Sequence, residues 1–306
     1  MDPILFIQFV LTGAFRSATP VLYTTLGQTV NEKTGVANLG AEGCMLMGAC
    51  VGFIVTAQTG SGWLGALAGA LAGGLLSLLH GYLVINCGAN QLASGLTLMF
   101  LGLGLTALIG RPYVSTQITG FDVVPIPVLS DIPFIGPILF RHDVLTYLAY
   151  LLIPAIWFFL YRTRWGLSLR AVGESRIAAF STGRNPALIA YAAVFFGGLM
   201  AGLGGAQLSL AYTHFWVEGM TQGAGFIAVA LVIFGMWHPV RAAAGALLYG
   251  GAVSLQLQLQ TLGVGISPFF LQMLPYVLTL AILLVWARAS NRAMPAELGR
   301  VFSRQT

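Results

Sequence analysis

The stretch Ala242–Ala287 reads AAAGALLYGGAVSLQLQLQTLGVGISPFFLQMLPYVLTLAILLVWA and holds no Asp, Glu, Lys or Arg. At about 20 residues per membrane crossing it is long enough for two helices, with a turn near Gly263–Pro268. Within it, Gln256-Leu257-Gln258-Leu259-Gln260 alternates as a strand would. Inside so apolar a run it reads instead as the end of a span, with Gln256 and Gln260 on one helix face. The rest of the chain has the same character. Of 306 residues, 57% are hydrophobic and 8% charged, and the mean hydropathy is +0.85. A soluble domain carries about 25% charged residues. The composition excludes an ordinary soluble enzyme, a disordered chain and a disulfide-stapled secreted fold.

Six further apolar segments precede this stretch: Leu5–Val30, interrupted by Arg16 and Pro20, then Gly43–Thr59, Trp63–Ile85, Gln91–Gly110, Val144–Tyr161 and Ala187–Tyr212. With the two above they make eight spans. Gly223–Trp237 is a ninth apolar piece, short for a crossing, and reads as either a span or a re-entrant or broken helix. The segments are continuously apolar rather than alternating, which argues against a membrane barrel. Between them lie a proline-rich loop, Arg111–Asp143, with Asp122, Asp131 and Arg141, and a basic loop, Arg162–Pro186. The fold expected is all-α and polytopic, one transmembrane domain over residues 1–306 with eight or nine helices.

The charges orient it. Net charge is +5 and the isoelectric point about 9.3. Suppose the basic loop 162–186 is cytoplasmic and all nine pieces cross. Lys33, Arg162, Arg164, Arg170, Arg176, Arg184, Arg241 and the tail residues Arg288, Arg292, Arg300 and Arg304 then lie inside. Only Arg111 and Arg141 lie outside, in the extracytoplasmic loop 111–143. The positive-inside rule places the N-terminus outside and the C-terminus inside. The basic surplus is therefore a topology signal, and no nucleic-acid partner is expected. Met1-Asp2-Pro3 lacks a basic n-region, so no cleaved signal peptide is expected. Cys44, Cys50 and Cys87 have no CxxC or Cys/His spacing and read as small apolar packers, with no metal site. Gly65, Gly69 and Gly73, and again Gly198 and Gly202, have the spacing that lets helices approach closely in lipid, within one subunit rather than at a dimer seam.

Four polar constellations remain. Asn31–Gly43 is glycine-rich and sits between the first two spans. Asn38 is placed to N-cap the second helix and Glu42 lies near its positive end, so the stretch reads either as a capped entrance or as a gate beside a permeation path. Asn90, Gln91 and Ser94 open the fourth span; Asn90 suits an N-cap, and Gln91 and Ser94 share a face. In the basic loop, Glu174–Phe180 can form a short amphipathic helix, ended by Gly183 and followed by Pro186 at the next helix start. Arg16, His80 and Glu42 are the ionisable groups in or beside spans. They form no carboxylate pair or carboxylate–histidine relay, which counts against ion coupling. Arg16 is expected against a protein interior or helix break. Gly202-Leu203-Gly204-Gly205-Ala206-Gln207 is a false dinucleotide loop, since no strand precedes it. P-loop, HExxH and GxSxG motifs are absent from the sequence, and so is any nucleophile–base pair suited to a membrane enzyme.

Taken together, Arg16–Pro20, Gly35–Gly43, Asn90–Leu96, Leu169–Glu174, Gly223–Ala230 and Phe234–Pro239 resemble the permease subunits of bacterial ABC importers of the branched-chain amino acid, ribose and nucleoside group. The nucleoside and simple-sugar permeases, with their Asn-Leu-Gly-x-Glu-Gly run, are the most similar. The resemblance implies a type II-like importer architecture and import of a nucleoside, purine-like compound or simple sugar. It also implies that Gly173, Glu174, Ala178, Ala179 and Gly183 form the coupling motif that engages cytoplasmic ATPase subunits. Ile177 stands where the general motif has glutamate. The implied partners are those ATPases, which bind ATP and Mg, a second permease subunit, identical or paralogous, an extracytoplasmic binding protein, and lipid. The chain itself is expected to hold no cofactor and to catalyse no bond change. Asn38, Glu42, Asn90, Gln91 and Ser94 are the pathway or gate candidates. An ion-coupled carrier or channel for a small polar solute is the alternative.

Overall fold

The computed structural model describes residues 3–263, 265, 267–290 and 294–302. Met1, Asp2, Arg292 and Arg304, used above for leader and orientation, lie outside the described residues. The described residues are mostly helical: α1 (Pro3–Glu32), α2 (Ala41–Thr59), α3 (Gly62–Gly81) and α4 (Gln91–Gly110) come first. The loop that follows carries a two-residue ladder, β1 (Val124–Pro125) with β2 (Arg141–His142), and a short α5 (Ile135–Leu139). Then come α6 (Val144–Arg162), α7 (Arg164–Glu174), α8 (Arg176–Ser181), α9 (Pro186–Gln207), α10 (Ala224–Phe234), α11 (Pro239–Thr261) and α12 (Pro268–Ser290). Short π segments extend α3 through Asn86 and α9 through Thr213.

Among the described residues, seven helices are long and apolar enough to cross a membrane. α12 stands where the eighth span is expected, with Pro268–Ala281 a shorter apolar stretch among the described residues, and α11 and α12 divide the charge-free run near Gly263 as its length requires. The glutamine stretch Gln256–Gln260 is the last part of α11, not a strand.

The bundle is built inside out relative to a soluble protein. On α3, Gly65, Ala66, Gly69, Ala70 and Gly73 are buried, while Leu67, Leu71, Leu75 and Leu79 face outward. Lipid is as apolar as leucine, so packing is driven by close backbone approach rather than by hiding large side chains. A Cβ at Gly69 would overlap the carbonyl of Gly48, and one at Gly73 would overlap Gly198 and Gly202. The small-residue spacing therefore serves the α2–α3–α9 contact within one subunit. α1 lies at the centre, packed on α9, α10 and α11, and its half from Thr19 to Glu32 is fully buried. Hydroxyls there, such as Thr29, return their proton to the carbonyl four residues back (2.8 Å) and so cost little to bury.

The two ends differ. One end carries Lys33, α7, α8, Arg241 and the segment 294–302, and is called the basic end below. The opposite end carries the 111–143 loop, which folds over the bundle rather than standing free. Phe121 donates its amide to Leu210 (2.9 Å) and packs edge-on against Trp63, with ring centres 5.0 Å apart.

Candidate functional site

A cavity of about 540 Å³ lies between α1, the end of α9, α11, α12 and the segment 214–223. Its walls include Ser17, Tyr212, Thr221, Gln222, Tyr249, Gln256, Gln272 and Tyr276, with Glu218 as the one carboxylate and no lysine or arginine among the described lining residues. Ser17 and Tyr212 are joined through their hydroxyls at 3.1 Å. Arg16 stands just behind them. Its guanidinium donates to the carbonyls of Ala211 (3.4 Å) and Tyr212 (3.3 Å), freed where the π segment ends, and lies 5.5 Å from the Tyr212 ring centre. The helix-break setting expected for Arg16 is the one found.

α10 starts at the wall of this cavity, where its first residue, Ala224, joins the lining. Its 11 residues rise only about 16 Å, half a bilayer core. Both ends are held by carboxylates from elsewhere. At its start, Glu42 accepts from the Thr221 hydroxyl and, through the same oxygen, from the Gly223 amide (2.8 Å); its other oxygen accepts from the Gly225 amide (2.7 Å). At its finish, Met236 and Trp237 take left-handed backbone (φ 53° each), and the Trp237 indole donates to Glu32 at 2.7 Å. α2 itself begins about two turns further in than α4, since Gly43 abuts Leu98 and Met99. The 5% exposed Glu42 therefore sits where two helix N-termini converge inside the bundle, a favourable place for a carboxylate.

The other polar candidates gather away from the cavity, toward the basic end. Asn38 is not the N-cap of α2. Gly40 holds that position without a side-chain bond, and Asn38 instead closes a turn by accepting from the Gly40 amide (2.9 Å). Glycine at the cap leaves the first turn free to pack on α4, where a Cβ would overlap Leu98. Asn90 does cap its helix, accepting from Leu92 and Ala93. Gln91, 3% exposed, accepts from the Ala37 amide (2.7 Å) and donates to the carbonyls of Gly35 (3.3 Å) and Arg300 (2.9 Å). Ser94 meets His80 Nδ1 at 3.1 Å, and His80 Nε2 meets the Ala37 carbonyl at 3.0 Å. Gln91 and Ser94 do share a face, but they fasten the Gly35–Ala37 turn and do not line the cavity. Only Glu42 of these candidates touches its wall.

The basic loop forms two helices rather than one, broken at Ser175, whose hydroxyl caps α8 by accepting from Ala178 (3.2 Å). Gly183 ends α8 with φ 77°, and Pro186 starts α9. Gly173 is buried so tightly that a Cβ would overlap the Lys33 carbonyl, whereas Glu174 and Ala178 are exposed and Ala179 is buried beneath them. Ile177 and Phe180 point outward. Burial pushes the Lys33 ammonium pKa down, with Glu174 pulling it partly back.

The cavity residues on α11 and α12 and the segment 214–223 were not among the sequence candidates. The one available signal was the pair Gln256 and Gln260 within so apolar a run.

The sequence matches the family described as branched-chain amino acid transport system / permease component over residues 10–286. A putative glucose ABC transporter permease protein of Haloferax volcanii is 44% identical over 84% of this chain and 80% of its own. The guanosine ABC transporter permease protein NupQ of Bacillus subtilis is 34% identical over 92% of both chains. The nucleoside ABC transporter permease protein NupC of Lactococcus lactis is 35% identical over 90% of this chain and 92% of its own. A half-length helix pinned by two carboxylates beside a polar cavity, within a bundle of apolar helices, is thus the interior of a permease: the chain belongs to the branched-chain amino acid transport system permease family, as a membrane-spanning ABC transporter subunit for which partner proteins hydrolyse ATP.

Proposed function

We propose that this chain forms one half of the pathway of an ATP-driven importer for a nucleoside, a purine-like compound or a simple sugar in the cytoplasmic membrane. The observation that carries this reading is the 540 Å³ cavity, whose polar groups, apart from the Glu218 carboxylate, are amides and hydroxyls suited to an uncharged, hydrogen-bonding solute. The names of the nucleoside and glucose relatives support the same substrate class. A second permease, identical or paralogous, closes the pathway. A binding protein delivers the solute over the 111–143 loop outside, and cytoplasmic ATPases carrying ATP and Mg dock on Gly173, Glu174, Ala178, Ala179 and Gly183. Closure of the ATPases moves the loop 162–186 and alternates access to the cavity. Glu42 acts as the gate residue by holding α10 in place. Asn38, Gln91 and Ser94 brace the turn leading to it, and Asn90 caps the helix that carries the last two.

The test is reconstitution of the chain with its cognate ATPase, second permease and binding protein in proteoliposomes. ATP-dependent uptake of labelled guanosine or glucose is expected, and Gln256→Leu should cut it at least about tenfold by leaving a solute group unpaired, without releasing the ATPase. Uptake by this chain alone, driven by an ion gradient, would overturn the reading in favour of a secondary carrier.

A further inference from the structure

The segment 294–302 lies across the basic end and is tied to it at both of its ends. The Glu297 amide donates to the Gly173 carbonyl at 2.9 Å, and the Arg300 carbonyl accepts from Gln91. Phe302, 8% exposed, enters an apolar cluster with Val36, Val84, Ile85, Ala190 and Val194. Between these anchors lies Arg176, the first residue of α8 and 6% exposed. Its guanidinium donates to three carbonyls: Val301 (3.1 Å), Glu297 (3.4 Å) and Gly35 (3.4 Å). It also pairs with the Glu297 carboxylate at 3.7 Å and lies 4.1 Å from the Phe302 ring centre. One side chain therefore joins α8, the segment 294–302 and the turn before α2. Gly35 has φ 81° and fits so closely under Glu297 that a Cβ would overlap it.

We propose that residues 294–302 are a transmission strap and that Arg176 is the positioning residue through which movement of α7 and α8 reaches the Glu42 junction. The route is continuous. From the Gly35 carbonyl, the Gln91 amide spans to the Ala37 amide, and Ala37 is held by His80. The Asn38 turn then leads into α2 and Glu42. Apolar contacts alone would let the elements slide. Directional bonds from one planar fork to fixed carbonyls make the turn follow α8. The inference rests on the proposed docking of an ATPase on this face.

The experiment uses the full reconstituted transporter with Arg176→Lys, Phe302→Ala and a chain ending at residue 293. Lysine keeps the charge and loses the fork. The variants are expected to retain the ATPase and hydrolyse ATP, while solute imported per ATP falls at least about fivefold, the scale of a typical coupling energy. In the unaltered complex, ATP binding should change hydrogen exchange at the amides of residues 35–42, and in Arg176→Lys that change should vanish. Unaltered import per ATP, or an undiminished exchange response, in a variant complex that holds its ATPase overturns the strap. So does loss of the ATPase from the point variants, which would make the segment a docking surface only. Failure of the docking reading is distinguishable, because the unaltered chain would then bind no ATPase.

Discussion

Glu42 accepts three hydrogen bonds from a stretch of chain far away in sequence, and that is more than a capped helix entrance needs. Two helix N-termini each present about half a positive charge to it, a favourable setting for a carboxylate. Glu42→Gln replaces one acceptor oxygen by an NH2 group that faces N–H donors. The expected cost is about 2–4 kcal/mol, from bonds to a charged group lost inside the bundle. Glu42→Asp keeps the charge but is one methylene shorter, so it should serve α2 and release α10. Both variants are expected to lower uptake by at least about tenfold and to lower the melting temperature, Gln more than Asp. Uptake in proteoliposomes together with thermal unfolding in detergent would check this. Equal uptake in all three proteins would remove Glu42 from the gate. The sequence singled out Glu42 because a carboxylate so near a span needs a reason. It could not show the partners, because Thr221 and Gly225 reach it only once the chain has folded back. Asn38 shows the opposite case: its type suits an N-cap, but the tight α2–α4 contact requires glycine at the cap and moves asparagine into the turn before it.

At the scale of elements, span lengths were legible because lipid imposes them, and every long apolar segment became a helix. The glycine spacing was legible too, and the structure gives it a discriminating test. A methyl group added at Gly202 would overlap the Gly69 carbonyl and the Ala70 backbone, whereas one added at Gly104 meets nothing within 4 Å. Overpacking of this kind costs about 1–3 kcal/mol, and relief of glycine's helix penalty returns about 1 kcal/mol. Gly202→Ala is therefore expected to destabilise and Gly104→Ala to be neutral or slightly stabilising, read as melting temperatures of the purified subunit. If the two variants melt alike, the α3–α9 backbone approach is not what holds the bundle. The half-length of α10 was visible as a short apolar run between polar segments. Its placement was not, since no local pattern says that both of its ends are held by carboxylates of distant segments.

At the scale of the whole molecule, the charge pattern carries more information than the apolar content. Lys33, Arg162, Arg164, Arg170, Arg176, Arg184, Arg241 and Arg300 all fall at one end, as the positive-inside reading requires. Two of these basic residues also take part in the packing of that end, and only the fold reveals it. Arg176 is buried in the strap, and Lys33 presents its carbonyl to Gly173. The proposed orientation can be read with a native residue. Cys44 and Cys50 are buried, while Cys87 is exposed at the basic end, beside the strap. In cells expressing the chain without partners, Cys87 should resist a membrane-impermeant maleimide and react once the cells are permeabilised. Asp131, on the 111–143 loop, makes a weak exposed ion pair with Arg141 at 3.8 Å and accepts from the hydroxyl of its neighbour Ser130 at 3.3 Å, contacts that can be given up without loss of the fold. Asp131→Cys in a Cys87→Ser background should therefore react in intact cells. Labelling of Cys87 from outside, with protection of position 131, would invert the molecule and move the proposed ATPase face to the wrong side of the membrane.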